Sequence, residues 1–144
     1  MSPHPENDSL LRTLCHPVNL FNNLQFFDDM VERCKRHGYE VLEFDCREFK
    51  NQDDIYNAIF HAGGILERDY FYKNLNSRQF EEDLRRLNLL KQAKSAMALR
   101  YFDAFQRLEP DCAQDLLRIL AKVHYNSLFE GRRLLICAHS EDES

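Results

Sequence analysis

The side chains of this chain that could do covalent or metal chemistry are five cysteines and six histidines. Cys15-His16 together with Cys34-x-x-His37 could give a zinc ion four sulfur and nitrogen ligands, with Cys34 and His37 on one helix face. The bland reading is a buried thiol and a helix-closing histidine. It is favoured because Cys34 also fits the apolar stripe of its helix, and the spacing between the pairs is unlike a zinc module. A thiol nucleophile, Cys46 or Cys137 with His61 or His124 as base, would need that base beside the sulfur. No catalytic signature surrounds either cysteine. Both lie among strand formers, where a free cysteine behaves as a small hydrophobe. Gly63-Gly64 lacks the spacing and lysine of a phosphate loop and reads as a helix stop. The chain is therefore read as not an enzyme, with no catalytic residues, no metal and no cofactor. A small metal- or thiol-dependent enzyme is the lesser alternative.

Two other groups suit binding. Tyr70-Phe71-Tyr72 is an aromatic run in a loop, and aromatics on loops dominate many interfaces. Alternation directs Phe71 inward, as a loop anchor, and the tyrosines outward. Glu81-Glu82-Asp83 is either an acidic contact patch or a solvated helix face with Glu82 paired to Arg85 or Arg86.

Such residues need a scaffold, and the composition allows one. The chain has 144 residues, 44% hydrophobic and 30% charged, which suits a single globular domain with a real core. No apolar run approaches the roughly 20 residues that span a bilayer. Met1 to Asp8 has neither the basic nor the apolar region of a signal peptide. The odd, irregularly spaced cysteines do not resemble a secreted disulfide framework, so reduced thiols in the cytoplasm are expected. A net charge of −5 disfavours direct binding to nucleic acid and leaves a protein as the expected partner, with no membrane.

Leu24, Phe27, Met30, Val31 and Cys34 recur at helical spacing, and Lys35-Arg36-His37-Gly38 closes that helix, placed at about 24–37. Tyr39 to Phe49 reads as a strand, with Leu42, Phe44 and Cys46 on one face and Tyr39 and Val41 on the other. A helix begins near Asn51 or Gln52, with Ile55, Ala58, Ile59 and Ala62 as its buried stripe. Asn76, with Gln79 three residues on, can cap the next helix, which turns Phe80, Leu84 and Leu87 inward. Ala96 to Phe105 predicts a second strand. Asp111 and Gln114 predict the cap of a long helix bearing Leu116, Leu117, Leu120 and Val123. Leu134 to Ala138 predicts a strand buried on both faces. Strands separated by helices imply crossovers in a parallel α/β sheet of three strands. The organisation expected is an N-terminal extension (1–38) with its amphipathic helix, an α/β domain (39–139) and an acidic, solvated tail (140–144).

From Tyr39 to His139 the chain resembles the barstar family of ribonuclease inhibitors. Tyr70-Phe71-Tyr72-Lys73-Asn74-Leu75-Asn76 is similar to that family's paired-aromatic loop and the start of its second helix, with Asn76 where the family has an aspartate. Leu99 to Phe105 resembles its middle strand. The resemblance implies a barstar-like fold, here with an extra N-terminal helix. It also implies a rigid inhibitor, of the immunity type, whose loop and second helix plug the cationic active site of a partner ribonuclease or other toxin. Carboxylates that replace substrate phosphates are steered onto a basic cleft and slow release. The contact residues this implies are Tyr70, Tyr72, Asn74, Asn76, Glu81 and Glu82. An adaptor or regulatory subunit on the same scaffold, with no nuclease target, is the alternative. The oligomeric state is left open.

Overall fold

The computed structural model describes residues 18–63, 71, 73, 76–87 and 93–141. In chain order its elements are β1 (Asn19–Phe21), α1 (Leu24–Arg36), β2 (Glu40–Asp45), a 3-10 turn (Cys46–Glu48), α2 (Gln52–Ala62) and α3 (Ser77–Leu87). Then follow β3 (Lys94–Arg100), α4 (Phe102–Leu108), α5 (Pro110–Phe129) and β4 (Arg133–His139). All strands run parallel in one sheet, in the order β1-β4-β3-β2. The α/β class is as expected, but the sheet has four strands where three were predicted. The added strand, β1, is three residues long and too short to show alternation. It lines up Asn19 with Cys137 and Phe21 with His139.

The alternation along β2 sets the two layers. Phe44 and Cys46, with Leu42 partly buried, join Met97, Leu99, Leu134, Ile136 and Ala138 on the face covered by α2 to α5. Tyr39, with Val41 partly buried, joins Ala96, Ala98, Leu135 and Cys137 on the opposite face. That face is covered by Phe27, Met30, Val31 and Cys34 of α1, the stripe that the helical spacing predicts. Burying each of the larger side chains stabilises the fold by about 1.5–3 kcal/mol. Leu134 to Ala138 is buried throughout, as expected of a strand covered on both sides.

Helix ends follow local chemistry. The Asn23 and Asn51 side chains accept from the N–H groups of Phe26 and Asp54, each at 3.1 Å. Helix α1 closes on Gly38 at φ 83°, a left-handed position where no atom would crowd a Cβ. Gly38→Ala therefore adds backbone strain alone. It is expected to lower stability by about 1 kcal/mol in urea unfolding; an unchanged midpoint would contradict this.

Several boundaries differ from expectation, each for a local reason. Strand β2 ends at Asp45 rather than Phe49, because the Asp45 carboxylate accepts the Arg47 N–H at 3.1 Å and starts the 3-10 turn. Strand β3 ends at Arg100 rather than Phe105. Tyr101 turns left-handed at φ 56°, and Phe102 and Phe105 then pack at helical spacing in α4. Helix α5 begins at Pro110, which needs no N–H partner there, and no side chain caps it, so the predicted Asp111 cap does not form. The stripe of α2 is Ile55, Tyr56, Ile59 and Phe60; Ala58 is half-buried and Ala62 exposed. The larger aromatic rings, not the alanines, fill the space against α3. Ser140, placed in a solvated tail, donates its N–H to the Phe21 carbonyl at 2.9 Å.

Candidate docking surface

Helix α3 stands on the core through Phe80 and Leu84, both buried as predicted. The Phe80 ring stacks on Tyr56 at 4.1 Å between centroids and leans on Phe60 at 5.1 Å. Tyr56 is held in turn by the Cys112 thiol of α5, which donates to its hydroxyl at 3.2 Å. The Asn76 side chain caps α3 as predicted, accepting the Gln79 N–H at 2.7 Å. The Gln79 side chain does not reach back to Asn76; it donates to the buried Asp83 at 3.0 Å. Leu87 belongs to α3, but its side chain lies outside the described residues.

The acids of α3 are used unequally. Glu81 receives the Lys122 ammonium of α5 at 3.0 Å, a strap between the two helices. Glu82 is exposed and meets Arg78 at 3.4 Å, one turn earlier; the side chains of Arg85 and Arg86, its expected partners, lie outside the described residues. An exposed pair of this kind contributes little, about 0.3–0.5 kcal/mol, and yields easily to a partner. Tyr70, Tyr72 and Asn74 lie outside the described residues. Phe71, expected to point inward, is 50% exposed. The structure thus brings Asn76, Glu81 and Glu82 onto one rigid helix, with Phe71 displayed just before it.

A second cluster, at the carboxyl end of the sheet, escaped the sequence reading. Tyr101 is the one non-glycine residue with positive φ among the described residues. Its N–H donates to His139 Nδ1 at 3.1 Å, and the two rings meet edge to face at 4.9 Å. An accepting Nδ1 places the His139 proton on Nε2, which is buried without a partner, as is Asp103 Oδ1. The Arg47 guanidinium lies 3.8 Å from the centre of the Tyr101 ring and pairs with Asp45 at 2.7 Å. Arg47 thereby holds the Asp45 carboxyl below the usual carboxylate range. Arg100 pairs with Asp28 of α1 and sits over Phe27. The cluster locks the turn after β3 against β4 and α1. Only a general rule could have pointed to it, since ligands of parallel α/β sheets gather at the carboxyl ends of strands.

The thiols are placed for packing. Burial pushes Cys34 up to about 11 and Cys46 and Cys137 up to about 12, and raises Cys112 as well. His124 donates its Nδ1 proton to the Leu134 carbonyl at 2.7 Å. Cys15 and His16 lie outside the described residues. No group of three or more potential metal ligands occurs among the described residues. Alkylation at neutral pH is expected to leave Cys34, Cys46, Cys112 and Cys137 unmodified until denaturant is added. Fast labelling of any of them in the folded chain, seen by peptide mass mapping, would contradict that placement. The same burial fixes a pH dependence. An unfolded thiol ionises near its ordinary value of 9.0, whereas the folded Cys46 and Cys137 ionise near 12. Their contribution to stability is full below pH 9 and is lost as pH rises toward 12. The urea midpoint should therefore fall across that window.

No protein-family model and no curated protein matches this chain. Among the described residues, no helix is long and apolar enough to cross a membrane.

Proposed function

We propose that this chain is a barstar-like, protein-binding inhibitor that blocks the active site of a partner ribonuclease or other toxin. It would act in the cytoplasm, through α3 and the aromatic loop before it, without catalysis, metal or cofactor. The observation that carries this reading is the anchoring of α3. One face is pinned by Phe80 and Leu84 and strapped by Glu81–Lys122, and the helix leaves Glu82 exposed; Phe71, earlier in the chain, is exposed as well. A patch held this way loses little conformational freedom on docking, which favours tight binding. The succession β2-α2-α3-β3-α4-α5-β4, with β2, β3 and β4 adjacent and parallel, supports the barstar-like part of the reading.

One observation favours the adaptor alternative. Asn76 caps its helix and Glu81 is engaged by Lys122, which leaves Glu82 as the exposed acid among the three. Fewer open carboxylates mean weaker steering toward a cationic cleft. Purifying the complex formed in the source cell separates the two. The inhibitor reading expects a partner whose nuclease or toxin activity is silent in the complex and returns on dissociation. A partner without such activity would leave the adaptor.

A further inference from the structure

Seven large hydrophobic side chains are exposed among the described residues, and six of them sit at the two ends of the parallel sheet. Tyr125, Leu128 and Phe129 occupy the last turns of α5, at the amino end, where Phe129 is 92% exposed. The Arg133 N–H donates to Ala93 at 2.8 Å, and the Lys94 ammonium lies 5.8 Å from the centre of the Tyr39 ring. That end is basic. Among the described residues, Arg33, Lys35, Arg36, Lys94, Arg132 and Arg133 lie toward that end against Glu32, Glu40, Glu130 and Glu43, the last paired with Lys35 at 3.3 Å.

The carboxyl end has the complementary character. Leu20 is 70% exposed, Phe26 64% and Leu108 51%. Toward the same end, among the described residues, Asp28, Asp29, Glu48, Asp53 and Asp54 outnumber Arg47, Lys50 and Arg100. Separation of charge along the strands, in a chain whose net charge is only −5, gives the molecule a basic foot and an acidic head, with exposed apolar side chains at both. Exposed apolar side chains near charged groups are common at interfaces.

We propose that these ends are the two halves of a head-to-tail contact between copies of this chain. A two-fold contact would lay base on base or acid on acid, which costs energy, whereas foot on head pairs opposite charges and covers Phe129 with Phe26 and its neighbours. Because each copy offers one foot and one head, the contact repeats and builds an open chain or a ring. It leaves α3 free and does not depend on the proposed inhibitor role.

Sedimentation velocity tests this on the full chain and on two variants at highly exposed positions, Phe129→Asp at the foot and Phe26→Lys at the head. The wild type is expected to grow in mass with concentration at low salt and to lose at least about tenfold in self-affinity in strong salt. Each variant alone is expected to stay at the monomer mass, with wild-type circular dichroism. An equal mixture, which restores one intact foot and one intact head, is expected to stop at the dimer. A wild type that stays monomeric near 1 mM, a variant that associates like the wild type, or a mixture that fails to pair would each overturn the proposal.

Discussion

Replacing Phe80 with alanine is expected to lower the unfolding free energy by about 3–5 kcal/mol. The ring is fully buried, stacks on Tyr56 and tilts against Phe60, so its removal deletes a contact shared by α2 and α3. For a domain of this size the loss corresponds to roughly 10–20 °C in melting temperature. The surface change Glu82→Ala, which removes one exposed ion pair, is expected to move stability by less than about 0.5 kcal/mol. Urea unfolding of both variants gives the comparison. Phe80→Ala is also expected to weaken partner binding although Phe80 touches no partner, because a loosened α3 must be ordered again at docking. A cost below about 1 kcal/mol would mean that α3 is not anchored as described.

The second large effect concerns affinity. The double variant Tyr72→Ala with Glu82→Ala removes an aromatic of the loop and the exposed acid of α3. It is expected to reduce affinity for the captured partner by about 30- to 1,000-fold, as truncation of interface hot spots does. Circular dichroism checks that the double variant folds as the wild type does. Glu130→Ala, at the far end of α5, serves as the control and is expected to bind as the wild type does. Titration calorimetry of the three proteins against the partner measures it. Equal affinity of the double variant and the control would remove α3 and its loop from the interface.

How far the sequence could be read depended on how local each signal was. The apolar stripe of α1, the alternation along β2 and the unbroken run Leu134 to Ala138 are periodic, and each lies where its period demands. Boundaries set by a single interaction were not legible. The Asp45 bond to Arg47 and the left-handed turn at Tyr101 cut two expected strands short, although strand formers continue past both points. β1 exists because β4 offers it a partner, and three residues carry no pattern of their own. At the docking surface the cap of Asn76 and the inward set Phe80 and Leu84 were legible, because both rest on helical spacing. The exposure of Phe71 and the Glu81–Lys122 strap were not. Phe71 is a single side chain in a stretch without periodicity, and the strap joins residues 41 apart in the chain. The His139–Tyr101 cluster was missed for the same reason, since it joins the ends of two strands.

Amide hydrogen exchange of the chain, free and in complex with its captured partner, tests the docking assignment most directly. Added protection concentrated within residues 70–82, with the two ends of the sheet unchanged, is the predicted result. Protection confined to those ends or to α1, with residues 70–82 exchanging as in the free chain, would contradict it.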